Sequence, residues 1–327
     1  MNFPANAPPR GIIRREGFAI GLCLVVALKL WVVHTEEIYG SATEYDALWY
    51  LNAAQHWYWG SEYSWIAFAR PPAYSLFVAF VHLCGLPLRM GIEFIQMGGY
   101  LALIIGLRKA GVPRAVCLAS YAAMVLHPGS FQLNNYTMAD NFYAAVLPLA
   151  LGGLVLTLVS AKFTHAIWTG IALAVLWNTR EESFLIPVLL VVFFGVALLR
   201  QHFATGSWRT AVRSWLKPAG AMLVTLTLLV LTVDAANYRT FHSFSKSDLT
   251  SSSFQTAYKA LLRIRPSREQ RFVSVSTEAL EMAYKVSPTF ARLKAQFEAT
   301  TRRRSTRTSA TKTSCRWTSR RGTASSR

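Results

Sequence analysis

"YSLFVAFVHLCGLPLRMGIEFIQMGGYLALIIGLRK" runs from Tyr74 to Lys109. It holds two apolar stretches, Tyr74–Leu88 and Ile92–Leu107, and ends on a basic pair. How many times this segment crosses a membrane sets the topology of everything around it. The basic segments Arg108-Lys109 to Arg114, Lys162 and Arg200 to Lys217 belong on the cytoplasmic side by the retention of positive loops. A first span at about Phe18 to Val33, preceded by Arg10, Arg14 and Arg15, starts with the N-terminus inside. Tyr74–Leu107 must therefore cross an odd number of times. We expect one crossing, with the other apolar stretch interfacial or buried without crossing.

The other apolar stretches are Ala115–Leu126, Met138–Val159, Ala166–Trp177, Phe184–Leu199 and Ala219–Ala235. Several fall short of the ~20 residues of a full span. The expected fold is an all-α membrane protein, a bundle of about 7 to 8 apolar helices with external juxtamembrane helices. Composition agrees: 53% of the 327 residues are hydrophobic and 15% charged, against roughly 25% charged in soluble domains. The cysteines Cys23, Cys84, Cys117 and Cys315 form no CxxC and read as small hydrophobes.

The net charge of +18 raises nucleic acid as a partner, but its distribution argues against one. The tail Thr301–Arg327 carries nine Lys/Arg and no acid, so the rest of the chain holds +9. This Arg/Ser/Thr tail cannot bury enough surface to fold. It reads as a basic arm for anionic lipid, as a plain disordered terminus, or as out-of-frame sequence that truncates the protein. The expected organisation is a cytoplasmic segment 1–17 and a transmembrane module 18–236 with an external loop 34–73. An external amphipathic segment 237–298 and the tail 299–327 follow.

With seven crossings, the non-basic polar clusters share the outer face: Glu44/Asp46, Asn134/Asn135/Asp140, Arg180/Glu181/Glu182 and Asn237/Arg239. "EYDALWYLNAAQHWYWG" (Glu44–Gly60) sets Asp46 among aromatics suited to the membrane interface. It is an aromatic belt with incidental carboxylates, or it holds a base near the headgroups. "ARPPAYSLF" (Ala69–Phe77) starts a helix at its prolines, with Arg70 either a snorkelling anchor or a ligand for phosphate or carboxylate. Asp140 either favours a helix N-terminus or marks a site. "WNTREESFLIP" (Trp177–Pro187) sets Arg180-Glu181-Glu182 between two apolar helices, as a polar turn with an internal ion pair or as a phosphate-holding arginine with a glutamate orienting it. Farther on, Phe254, Tyr258, Leu261 and Leu262 fall at helical spacing, and Ser276 or Thr277 is set to cap a second short helix.

The ordered set of Asp46, Arg70-Pro71-Pro72-Ala73-Tyr74, Pro128 to Thr137-Met138-Ala139-Asp140, and Thr179-Arg180-Glu181-Glu182 resembles the GT-C superfamily of membrane glycosyltransferases. It is most similar to bacterial relatives of the protein O-mannosyltransferases and of the aminoarabinose transferase acting on lipid A, over roughly residues 15 to 200. The resemblance implies a polyprenyl-phosphate-linked sugar donor and a lipid, glycan or protein acceptor. It implies Asp46 as general base on the outer face of a bacterial inner membrane, with inversion at the sugar. Arg180 and Arg70 would hold the donor phosphate. Glu44, Tyr74, Asp140 and Glu182 would shape the binding site. No cofactor is certain, and a divalent metal stays open, because some members of the superfamily use one. Here Glu44 stands two positions before Asp46, where the family often has adjacent acids, and the tail replaces the family's further spans. Two other classes stand beside this one: a transporter or flippase for a lipid-linked or anionic solute, and an inactive truncated fragment.

Overall fold

The computed structural model describes residues 10–36, 38, 46–60, 67–267 and 273–295. Glu44 and the tail 299–327 lie outside the described residues. All regular structure among the described residues is helical. The chain forms two compact units, Met1–Ser251 and Ser252–Arg327.

Among its described residues the first unit contains the α-helices α1 (Arg10–Val33), α2 (Asp46–Gln55), α3 (Pro72–Leu83), α4 (Leu88–Lys109), α5 (Arg114–Val125), α6 (Pro128–Leu133), α7 (Ala139–Ser160), α8 (Phe163–Trp177), α9 (Leu185–Thr205) and α10 (Trp208–Phe241), and a 3-10 turn at Asp248–Thr250. Five are long and apolar enough to cross a membrane: α1 (from Glu16), α4, α7, α9 and α10. Two more apolar helices, α3 and α8, are shorter. This is the architecture of a membrane protein.

Proline sets where several helices begin. Pro71, Pro87 and Pro113 occupy the cap positions of α3, α4 and α5 in extended conformation, where a missing N–H costs nothing. The basic segment expected as a loop from Arg200 to Lys217 is mostly helix. α9 runs on to Thr205 and closes at Gly206 with φ +68°, and α10 restarts at Trp208. Arg and Lys are good helix formers, and their aliphatic stems continue an apolar helix into water.

Close backbone approach holds the centre of the bundle. Gly99 of α4 faces Ala145 and Leu149 of α7, and Gly106 faces Gly152 and Val155. The constant offset means that α4 and α7 run the same way. α7 and α8 are antiparallel, with Gly153 against Thr169 and Ser160 bonded to His165. α9 and α10 are also antiparallel, with Phe193 against Trp215 and His202 stacked on Trp208. Small residues permit this contact, as they do between helices in lipid.

α3 packs at one end of this bundle. The Ala73 N–H donates to the Asn178 carbonyl at the end of α8 (3.0 Å). Phe77 stacks on Phe142 near the start of α7 (4.4 Å), and both Phe77 and Val81 pack on Gly91 near the start of α4. These neighbours all lie toward one end of the parallel pair α4 and α7.

An ion network joins α1, α4 and α6 at that end. Lys29, Arg89 and Glu93 are all buried. Glu93 Oε1 accepts from Asn134 (3.1 Å) and pairs with Arg89 (2.9 Å) and Lys29 (3.5 Å). Lys29 Nζ also donates to Ser130 Oγ (2.8 Å) and lies over the Phe131 ring. Arg89 reaches Asn135 Oδ1 (2.6 Å) and the partly exposed Glu36 (3.7 Å).

In the second unit, α11 (Ser252–Leu262) stacks Phe254 on Tyr258. The Ser276 hydroxyl accepts from the Ala279 N–H at the start of α12 (Thr277–Val286), and α13 (Pro288–Ala291) follows.

Two variants test this packing. A Cβ on Gly152 would sit 2.5 Å from the Leu103 nitrogen, a backbone atom that cannot step aside. Gly152→Ala is expected to cost about 1–3 kcal/mol, read as a lower melting temperature in detergent. Glu93→Ala strands Lys29 and Arg89 without their shared anion and is expected to cost about 3–5 kcal/mol. Glu36→Ala, at the exposed edge, is expected to cost under about 1 kcal/mol in the same melt.

Candidate functional site

Four separate segments end at one place. α2 opens with Asp46, and Arg70 stands two residues before α3. Asp140 lies in the first turn of α7, and Arg180-Glu181-Glu182 fill the turn between α8 and α9. Each charge sits where an apolar helix starts or stops. A carboxylate in a first turn also meets the positive end of the helix dipole.

Arg70 bridges two carboxylates. Its Nη2 donates to Asp46 Oδ2 (2.9 Å) and its Nη1 to Glu181 Oε1 (3.1 Å). Its Nε is buried and has no hydrogen-bond partner. The guanidinium lies 5.4 Å from the centre of the Trp49 ring. The Tyr58 hydroxyl donates to the Arg70 carbonyl (2.8 Å), which anchors its backbone.

Arg180 is more fully engaged. Its Nε and Nη2 form a two-pronged contact with Glu182 (2.9 and 3.1 Å), and its Nη1 pairs with Asp140. Arg180–Glu182 is the internal ion pair of a polar turn. Two arginines thus sit among four carboxylates, a formal excess of negative charge. The Asp46–Arg70 pair is open to solvent, with Asp46 43% and Arg70 24% exposed. Such a pair contributes roughly 0–1 kcal/mol.

Tyr50 lies beneath these groups. Burial pushes its phenol above the ordinary tyrosine range; Arg70 opposes the shift, and Glu181 and Asp46 add to it. Tyr74 is fully buried edge-on against Tyr50 (4.9 Å), and its hydroxyl has no hydrogen-bond partner. Beside the charges an apolar groove of about 370 Å³ opens between α3, α8 and α10, lined by Pro72, Leu76, Phe80, Phe142, Val175 and Leu229.

Asp46, Arg70, Asp140, Arg180 and Glu182 therefore come together, with Tyr74 under them; Glu44 lies outside the described residues. Glu181, not Glu182, holds Arg70. Sequence reasoning passed over Lys246 entirely. Its buried ammonium donates to the carbonyls of Arg180 (2.7 Å), Glu181 (3.2 Å) and Trp177 (3.3 Å) and to Ser183 Oγ (2.6 Å). Three carbonyls and a hydroxyl take up its N–H groups, so Lys246 and Ser183 are a brace rather than a base and nucleophile. The segment carrying Lys246 is itself tied down, because Asn237 donates to the Ser245 carbonyl (2.8 Å) and accepts from Trp59 Nε1 (2.8 Å). A lone lysine in a serine-rich stretch has no periodicity that would flag it.

Among the described residues no three His, Cys, Asp or Glu side chains are grouped to hold a metal. The arginines stand between the carboxylates and keep them apart.

Comparison with known proteins returns no matching family model, no matching curated protein and no matching solved structure.

Burial lowers the Lys246 ammonium to about 8, with Glu181, Glu182 and Asp234 opposing the shift. Below about pH 8 the group is an ammonium, and above it the neutral amine keeps two N–H donors for the turn. Between about 8 and the ordinary lysine value of 10.5 the folded chain binds fewer protons than the unfolded chain. In that window this group's contribution to stability rises with pH, against any opening that returns Lys246 to water. Hydrogen exchange of amides 178–183, corrected for intrinsic pH dependence, is expected to slow as pH rises from about 8 to 10.5. In Lys246→Met the corrected exchange is expected to lose this pH dependence.

Proposed function

We propose that this chain is a membrane glycosyltransferase. It moves a sugar from a polyprenyl-phosphate-linked donor to an acceptor hydroxyl, with inversion, on the outer face of a bacterial inner membrane. One observation carries the reading: Asp46, Arg70, Asp140 and Arg180, from four segments, converge at one end of an apolar bundle beside an apolar groove. A lipid-linked phosphate has the same two parts, an anion and a long apolar chain. The resemblance of the motif order to the GT-C superfamily supplies the reaction class.

With the N-terminus in the cytoplasm, α1, α5, α8 and α10 run outward and α4, α7 and α9 inward, with α3 turning back. This gives seven crossings and sets the charged cluster outside. In the reaction, the acceptor oxygen bonds to the anomeric carbon from the face opposite the phosphate. The bond from that carbon to the phosphate oxygen breaks, and its electron pair leaves with the phosphate. Asp46 takes the hydroxyl proton. The arginines stabilise charge on the leaving group, and the arginine-flanked turn is steadied by Lys246. The acceptor is a lipid, glycan or protein hydroxyl at the membrane surface.

The transporter or flippase reading draws on a different observation, the buried Lys29–Glu93–Arg89 network inside the bundle. Buried ionisable groups within spans commonly mark transport pathways.

The test is transfer from a labelled polyprenyl-phosphate sugar in membranes carrying the wild type or Asp46→Asn. The wild type is expected to transfer, and the variant to be slower by roughly 10²–10⁴-fold, the usual worth of a general base. Absence of transfer across several donors, with movement of labelled lipid-linked sugar across proteoliposomes, would replace this reading with the second.

A further inference from the structure

The two arginines of the site are not equivalent. Arg180 presents its Nε–Nη2 edge to both oxygens of Glu182, two residues away on the same turn, and its remaining Nη1 to Asp140. The edge that best receives a planar or tetrahedral oxyanion is already filled from within its own turn. Arg70 holds each of its carboxylates by a single bond, from different nitrogens, and its Nε has no partner. Its fork is half used. Of its two partners, Asp46 is the more exposed, at 43% against 22% for Glu181. Asp46 can swing into water; Glu181 is held by the turn that Lys246 braces.

We propose that Arg70 is an anion-exchange latch. A phosphate-bearing ligand displaces Asp46 from Nη2, takes its place there, and frees the Asp46 carboxylate. The inference rests on the reading of Asp46 as the base that accepts the hydroxyl proton. Without ligand, Asp46 Oδ2 is committed to the guanidinium and faces no substrate. With phosphate on Arg70, the carboxylate is released when the sugar donor is in place. Binding and base activation then become one event, and water meets no armed base in the empty site. The exchange also eases the charge balance: even with Lys246 beside the two arginines the four carboxylates are in excess, and a phosphate joins more easily once one carboxylate steps away.

The proposal differs from simple attraction of an anion to arginine, because it requires Asp46 to compete with the ligand. Farnesyl phosphate and inorganic phosphate are the probes, titrated against the full chain in detergent by calorimetry. Asp46→Asn removes the competitor and is expected to bind farnesyl phosphate more tightly, on the order of fivefold, the equivalent of an exposed ion pair. Asp140→Asn removes the same charge from the Arg180 side and is expected to tighten binding less than twofold. Arg70→Gln is expected to abolish binding, and Arg70→Lys, a fallback should the glutamine variant fail to fold, to weaken it tenfold or more. Equal tightening by Asp46→Asn and Asp140→Asn would reduce the effect to general charge relief and overturn the latch. So would unchanged or weaker binding by Asp46→Asn, or no binding of either probe by any folded form. Inorganic phosphate binding as tightly as farnesyl phosphate would assign the ligand to the anion alone, and much weaker binding to a lipid-borne phosphate; both outcomes keep the latch. Tightening by Asp46→Asn with no sugar transfer by the wild type would leave the latch standing and remove the glycosyltransferase reading. Transfer without tightening would do the reverse.

Discussion

A charge at the end of an apolar helix has to find an opposite charge or water, and this constraint organises the first unit. Where α2, α3, α7 and the α8–α9 turn meet, the solution is a chain of arginine and carboxylate: Asp46 to Arg70 to Glu181, and Asp140 to Arg180 to Glu182. Where α1, α4 and α6 meet, Lys29 and Arg89 are buried around Glu93, and the partly exposed Glu36 completes the charge balance. The first cluster is half open to water and its pairs are individually weak. The second is closed, and losing one partner is costly. An exchangeable cluster suits ligand binding; a closed one suits holding helices in register.

The parts of the site that were legible in the sequence share one property: they mark boundaries. Arg70 stands before a double proline, Asp140 begins an apolar run, and Arg180 interrupts one. Hydropathy alone locates such positions, and the motif order groups them. The apolar bundle was legible for the same reason, through the clumping of hydrophobic residues.

What remained hidden depends on three-dimensional coincidence. Glu181 and Glu182 are neighbours in an irregular turn, and only the backbone path decides which one meets Arg70. Lys246 becomes a brace because Asn237 and Trp59 position its segment. The Lys29–Glu93 pair joins residues on separate helices; a charged residue inside each apolar stretch was a visible signal, but not which partner it would find. Helix limits shifted where cations were involved, since arginine and lysine that mark a loop for membrane topology also extend helices, as α9 and α10 do.

α10 has 34 residues, which at 1.5 Å each is about 51 Å, against roughly 30 Å of hydrocarbon in a bilayer. Arg209, Arg213 and Lys217 recur every four residues along its first turns, and the segment bearing Lys246 follows its other end. Pro218 stands inside this helix, one residue past the stripe, where it removes a backbone hydrogen bond ahead of the apolar run. In a bilayer the stripe would meet one headgroup layer and the segment with the Lys246 brace the other. A change in bilayer thickness would be taken up by tilt, by a bend at Pro218 or by the lipid. A tilt that reached the brace would move the α8–α9 turn relative to Arg70, and lipid thickness would then bear on the spacing of the charged cluster.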